Sequence, residues 1–194
     1  MSEFQAKMFN KKASNPKNKP DQILSAIGLK PGQSIADIGS GGGYFSFRFA
    51  EVVGETGRVY AVDTNQEYSE FVKREAEEHG LSNVKPALAS RANLDLPEET
   101  LDFVFMRNVT HHIKDRTEYF KNLINFLKPD GRFVVIEYDK GKPISFRRLF
   151  GHHVPKEVII KEMGEVGFAL EKDFDFLPEQ HFCIFMKAEG SHST

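Results

Sequence analysis

The run Gly39-Ser40-Gly41-Gly42-Gly43 constrains this chain more than any other stretch. A short apolar segment, Ser34 to Ile38, leads into it, and a segment of helical character, Tyr44 to about Val53, follows. Glycine admits positive φ and lets a ligand approach the backbone closely. The start of the following helix offers N–H groups with no intrahelical partner to a polar or anionic ligand. Three consecutive glycines carry an entropic cost, so a turn that binds nothing is the weaker reading. A second apolar run, Arg58 to Val62, ends at Asp63, which lies 24 residues after Gly39. An acid at that place can accept hydrogen bonds from a ribose diol. The loop is G-x-G-G-G rather than the dinucleotide fingerprint G-x-G-x-x-G, with Ser46 standing near the third glycine of that pattern. Asp37 would repel a pyrophosphate but suits a ligand ammonium.

The same alternation continues along the chain. A helix is expected from about Glu67 to His79, and strands at Val84 to Leu88 and Leu101 to Phe105. Helical spacing returns between Thr117 and Leu127. Lys128-Pro129-Asp130-Gly131 reads as a turn before the apolar strand Arg132 to Glu137. Strands alternating with helices predict a parallel sheet covered on both faces. After a helix from about Pro155 to Val166, the β-rich runs Phe168 to Phe176 and His181 to Lys187 have only a four-residue link. So short a link permits an antiparallel hairpin and no crossover helix.

Length and composition set the outer bounds. At 194 residues the chain suits one domain, with a core large enough to need no staple. Cys183 is the single cysteine, which excludes an internal disulfide framework and any multi-cysteine metal site. A net charge of −2 leaves no overall basic footprint for nucleic acid. No apolar run has the length of a membrane span, and the N-terminus has no signal-peptide core, so the expectation is a cytoplasmic protein. Residues 1–20 are polar and broken by Pro16 and Pro20. They are expected to form a flexible arm or lid that covers the ligand rather than joining the core. Residues 21–189 form the domain, and 190–194 a disordered tail.

Several of these stretches resemble the class I S-adenosylmethionine-dependent methyltransferases. Ile35 to Gly43 resembles the first motif of that family, and Val59 to Asp63 the second, whose acid binds the ribose hydroxyls. Leu94 to Asn108 is similar to the third and fourth motifs. Leu127 to Arg132 matches the L-K-P-G-G-R turn. Arg107-Asn108-Val109-Thr110 resembles the ubiquinone/menaquinone methyltransferases, within a small bacterial and archaeal branch suggested by Val109 to Tyr119 and by Asp175 to Pro178. The resemblance implies a Rossmann-like, seven-stranded, mostly parallel sheet with an antiparallel last strand and helices on both faces. It implies S-adenosyl-L-methionine as cofactor, held by Asp37, Gly39, Ser40, Gly41, Gly43, Asp63, Thr64 and Asn108. Relatives often carry an acid after strand three for the adenine amine. Here Ala89 to Asn93 contains none, so Ser90 or the backbone must serve.

Methyl transfer from a sulfonium needs positioning and desolvation, and a base only when the nucleophile carries a tightly held proton. Base candidates are His111 and His112 after strand four, and His152 and His153 beyond strand five, with Glu137 orienting a histidine or the acceptor. His111, His112 and His153 are expected to line the acceptor side, and no metal is expected. The leading function is methyl transfer to a small-molecule acceptor. An NAD(P)-dependent oxidoreductase and a non-catalytic S-adenosylmethionine-binding subunit are the alternatives.

Overall fold

A computed structural model describes residues 2–88, 94, 96–139 and 153–188. Its helices are α1 (Ser2–Ala13), α2 (Pro20–Ile27), α3 (Tyr44–Val53), α4 (Gln66–Glu78), α5 (Arg116–Ile124) and α6 (Lys156–Glu165). Its strands are β1 (Ser34–Ile38), β2 (Arg58–Asp63), β3 (Val84–Leu88), β4 (Leu101–Arg107), β5 (Leu127–Tyr138), β6 (Phe168–Phe174) and β7 (Gln180–Lys187). They form one sheet in the order β3-β2-β1-β4-β5-β7-β6. The first five run parallel, and β7 is antiparallel to both β5 and β6.

Alternation along each strand divides the core in two. Ile35, Val59, Phe105, Val134 and Ile136 pack with α2, α3 and α4 on one face. Ala36, Val62, Met106, Phe133 and Val135 pack with α5 and α6 on the other. Strands covered on both sides need apolar residues at successive positions, which is why β4 and β5 read as continuous apolar runs. The strand order reverses beside β1, between β2 and β4. In an open α/β sheet that reversal opens a crevice at the carboxyl ends of the strands.

Two local expectations are corrected. The turn at Lys128 to Gly131 is an irregularity inside β5. Leu127 pairs with Leu101 and Arg132 with Phe103, so the turn residues bulge without ending the strand. The N-terminal stretch is helical. Residues 2–13 precede both prolines and include good helix formers, and Ala6 is fully buried in the core beside α3 and α4. Pro16–Asn18 forms one 3₁₀ turn, and Pro20 occupies the first turn of α2, where its missing N–H is no loss. Residues 190–194 lie outside the described residues.

Candidate active site

At the carboxyl ends of β1, β2, β4 and β5 the crevice widens into a cavity of about 850 Å³. That lies within the range of small-molecule and cofactor sites, roughly 300–1,000 Å³. The glycine turn forms one wall. The N–H groups of Gly39 and Ser40 both donate to the Val62 carbonyl, at 2.8 and 3.1 Å, which ties the turn to β2. Asp63 fixes it from the other side. Its Oδ2 accepts from the Gly41 N–H at 2.9 Å, and its Oδ1 accepts from the Asn65 N–H at 3.0 Å. Asp37, Gly39, Ser40, Gly41, Asp63 and Thr64 all face this cavity. Gly43 does not. At φ 81° it caps α3, and a side chain there would strike Phe47 and Val72, so its glycine serves helix packing.

Asp37 is buried and accepts from the Ser46 hydroxyl at 2.6 Å. Burial pushes its carboxyl up to about 7; the Ser46 bond opposes this, and the charge of Asp63 adds to it. An arriving cation would therefore find a carboxyl poised to ionise near neutral pH.

The opposite wall comes from β4 and β5. Asn108 sits just beyond β4 in the left-handed region, at φ 55°. Its N–H donates to Ile136, and its side-chain oxygen accepts from the Gln180 amide. Next comes the 3₁₀ turn Thr110–His112. Glu137 is fully buried beneath it. Its Oε2 meets His111 Nδ1 at 3.0 Å and accepts from the Thr110 hydroxyl at 2.7 Å, while its Oε1 accepts from the Tyr138 N–H at 2.7 Å. Burial pushes this carboxyl up, but the bonds from His111 and Thr110, the His111 charge and the Tyr138 amide outweigh it and hold it below its ordinary value. A carboxylate there favours the proton on Nδ1 of His111 and leaves Nε2 as the basic nitrogen.

His111 and His112 both line the cavity, with ring centroids 4.1 Å apart. His111 is nearly buried and His112 is exposed at the rim. Glu137 acts behind His111 and does not itself line the space. His153 does not line the cavity. Its neighbour Val154 donates to the Tyr138 carbonyl at 3.2 Å, and the Val154 carbonyl meets the His181 ring at 2.9 Å. Ser90 and His152 lie outside the described residues. Among the described residues, no group of three or more His, Cys, Asp or Glu side chains could hold a metal.

The cavity also takes residues that local sequence patterns do not mark. Phe9 and Lys12 of α1 enter it, as do Tyr44, Tyr119 and Tyr138. Burial, with the charge of Asp63 adding, pushes the Tyr119 phenol up to about 12. Arg107, at the last position of β4, lines the cavity too. Its place at a strand's carboxyl end was a usable signal. Gln180 had none, since only its pairing with Tyr138 across β5 and β7 brings it near.

A glycine turn at the switch point, a half-buried acid closing β2 and a seven-stranded sheet ending antiparallel together define the class I methyltransferases. The chain matches the family model described as a methyltransferase domain over residues 29–169, and it belongs to that family. The chain thus carries a class I methyltransferase domain, which sets aside the oxidoreductase alternative. A ubiquinone/menaquinone biosynthesis C-methyltransferase UbiE of Haemophilus ducreyi is 31% identical over 118 residues, 60% of this chain and 46% of that protein. The UbiE of Vibrio parahaemolyticus is 28% identical over 161 residues, 80% of this chain and 60% of that protein. The chain thus spans about half the length of the curated relatives it matches. A crystal structure of a SAM-dependent methyltransferase from Aquifex aeolicus has the same fold, with a TM-score of 0.86 at 21% identity, covering 94% of this chain and 97% of that one.

The residues present fit the cofactor of this class. The acid at the end of β2 suits a ribose diol, Asp37 suits an ammonium, and the tethered glycine turn lets a ligand lie against the backbone. Among the described residues no helix is long and apolar enough to cross a membrane.

Proposed function

We propose that this chain transfers a methyl group from S-adenosylmethionine to a small-molecule acceptor that docks beside His111. The observation that carries this reading is the division of one cavity into two halves. Asp37, the glycine turn and Asp63 line one half, and the paired His111 and Glu137 back the other. Asp63, Asp37 and residues 39–41 would hold the cofactor, which when bound supplies an electrophilic methyl group. The chain's own task is to orient the acceptor, exclude water and take a proton. Tyr44, Tyr119, Tyr138 and Phe45 give walls suited to a flat or apolar acceptor. Glu137 fixes the His111 ring, and Nε2 of His111 receives the proton the acceptor gives up.

Relatives named for C-methylation in ubiquinone and menaquinone biosynthesis make a hydroquinone ring the first acceptor to try. The test is incubation with methyl-labelled S-adenosylmethionine and a panel of hydroquinones, phenols and small amines, read by mass spectrometry. Transfer to a panel member, lost in His111→Ala and reduced in Glu137→Gln, supports the reading. A protein that binds the cofactor tightly and methylates no member supports the non-catalytic subunit instead.

A further inference from the structure

Arg107 is an under-satisfied cation in the wall of the cavity. The other half-buried arginines among the described residues each meet a carboxylate: Arg48 meets Asp21 at 2.9 Å, Arg116 meets Glu162 at 2.6 Å and Arg132 meets Glu171 at 2.6 Å. Arg107 makes no such pair. Its Nε is sealed from solvent and makes no hydrogen bond. Its Nη2 reaches Gln180 Oε1 only at the long distance of 3.5 Å. Its guanidinium carbon lies 5.1 Å from the centroid of the Phe45 ring, a contact that returns part of the lost hydration. Burial is the main influence on its acidity and lowers its pKa. A guanidinium taken out of water without a counter-ion is costly, and a fork of five donors with one long bond calls for an explanation.

The groups around it do not supply one. Asp37 is nearby on β1 and its charge acts on Arg107, but its carboxyl is bonded to Ser46 and makes neither a hydrogen bond nor an ion pair with the guanidinium. Tyr44 on α3, Tyr138 on β5 and Gln180 on β7 offer no carboxylate, and Lys12 on α1 is a second basic side chain. The cavity is therefore acidic at the ends of β1 and β2 and cationic at the end of β4.

Resting on the methyl-transfer reading above, we propose that Arg107 seats an anionic oxygen, carboxylate or enolate in type, of a molecule bound in this cavity. Two molecules can bring such an oxygen. One is the cofactor, whose ammonium and ribose diol have partners in Asp37 and Asp63, while its carboxylate has none among them. The other is an acceptor bearing an acid group that enters past β4. In both cases Arg107 makes a charge-assisted, preferably two-pronged contact.

Calorimetry separates the sources. S-adenosylhomocysteine is compared with its decarboxylated analogue, S-adenosyl-3-thiopropylamine, on the wild type, Arg107→Met and Arg107→Lys. If the cofactor carboxylate sits on Arg107, the wild type prefers S-adenosylhomocysteine by about 10- to 100-fold. Arg107→Met then loses that preference and Arg107→Lys keeps part of it. If the preference is absent or survives in Arg107→Met, the second arm decides. Benzoate and benzamide are titrated into protein saturated with S-adenosylhomocysteine, and an acceptor seat gives a benzoate preference that Arg107→Met abolishes. A wild type with neither preference overturns the proposal without recourse to any variant, and so does Arg107→Met that folds and retains both. Failure of the wild type to bind S-adenosylhomocysteine at all would instead overturn the methyl-transfer reading.

Discussion

The side-chain amide of Asn10 donates to the Gly42 carbonyl at 2.7 Å, joining α1 to the glycine turn. The oxygen of the same side chain accepts from the Tyr44 N–H at 3.1 Å. Gly43 offers no side chain to cap α3, so one of its exposed N–H groups is satisfied from 34 residues earlier in the chain. A side chain at residue 42 would collide with the Ala6 carbonyl and with Asn10 itself. The first helix is therefore built into the wall of the site.

Replacing Asn10 with Ala should cost about 1 kcal/mol, the usual worth of a helix N-cap. It should also weaken S-adenosylmethionine binding, because the turn loses its outer support. Gly42→Ala should cost more, about 1–3 kcal/mol, since a backbone carbonyl cannot step aside. Urea denaturation measures the first quantity and calorimetry the second. An Asn10→Ala protein unchanged in both would show that α1 rests on the turn without holding it. Deleting residues 1 to 19 should now lower stability as well as cofactor retention, because Ala6 belongs to the core.

The parallel sheet, its hairpin end and the glycine turn were legible because each rests on a local pattern: an apolar run, a short link, a dense glycine cluster. Asp37, Asp63 and Thr64 followed, since they are defined by position relative to those patterns. The first helix was misread because its apolar side chains do not mark the packed face. Phe4 and Met8 point to solvent, while Ala6 packs and Asn10 bonds. Small and amide side chains carry little hydropathic signal, so the stretch looks like an arm. Gln180 and the pairing of His111 with Glu137 depend on strand register between distant segments, which no local pattern records. His153 was placed by chain order alone, and it is not among the residues that line the cavity.

Asp37 should make both stability and binding depend on pH. Its carboxyl releases its proton near 3.8 in the unfolded chain and near 7 in the folded one. The native state thus holds the extra proton between those values, and stability falls as pH climbs from about 4 to 7. A bound cation favours the ionised form, so cofactor binding should release a proton and strengthen as pH rises from 6 to 8. Calorimetry in buffers of different ionisation enthalpy counts that proton. Asp37→Asn should bind more weakly and release none. Equal proton release by both proteins would assign the linkage to another group.

Asp63 carries two backbone bonds besides any to a ligand. Asp63→Ala should lose about 1.5–3 kcal/mol of cofactor binding if a charge-assisted ribose bond is removed. Part of any loss could come from a loosened glycine turn, since Gly41 is held by the same carboxylate. Asp63→Asn keeps one oxygen for the turn and serves as the control. A 2′,3′-dideoxy analogue of S-adenosylhomocysteine isolates the diol. If wild type and Asp63→Ala bind that analogue equally, while only the wild type favours the parent compound, the acid contacts the ribose. If Asp63→Ala still favours the parent compound by the wild-type margin, the acid serves the turn alone.

The His111–Glu137 pair gives the sharpest prediction about rate. Glu137 is fully buried and collects bonds from His111, Thr110 and Tyr138. With its folded-state carboxyl held below the ordinary value, it contributes stability above about pH 4.5 that is lost as pH falls through the lowered value. In catalysis the carboxylate fixes the ring and favours the imidazolium that forms on proton transfer. His111→Ala should lower kcat by about 10²- to 10⁴-fold for an acceptor that must lose a proton. Glu137→Gln should produce a smaller loss, because the ring keeps its place but the imidazolium formed on proton transfer is no longer stabilised by a carboxylate. Each variant is compared as kcat against pH at saturating cofactor. Exposed at the rim, His112 should tolerate Ala with little loss in kcat. Thr110→Val, which removes one bond to Glu137 and leaves His111 in place, should fall between wild type and Glu137→Gln. Wild-type rates in His111→Ala across the whole profile would show that the reaction runs on positioning alone.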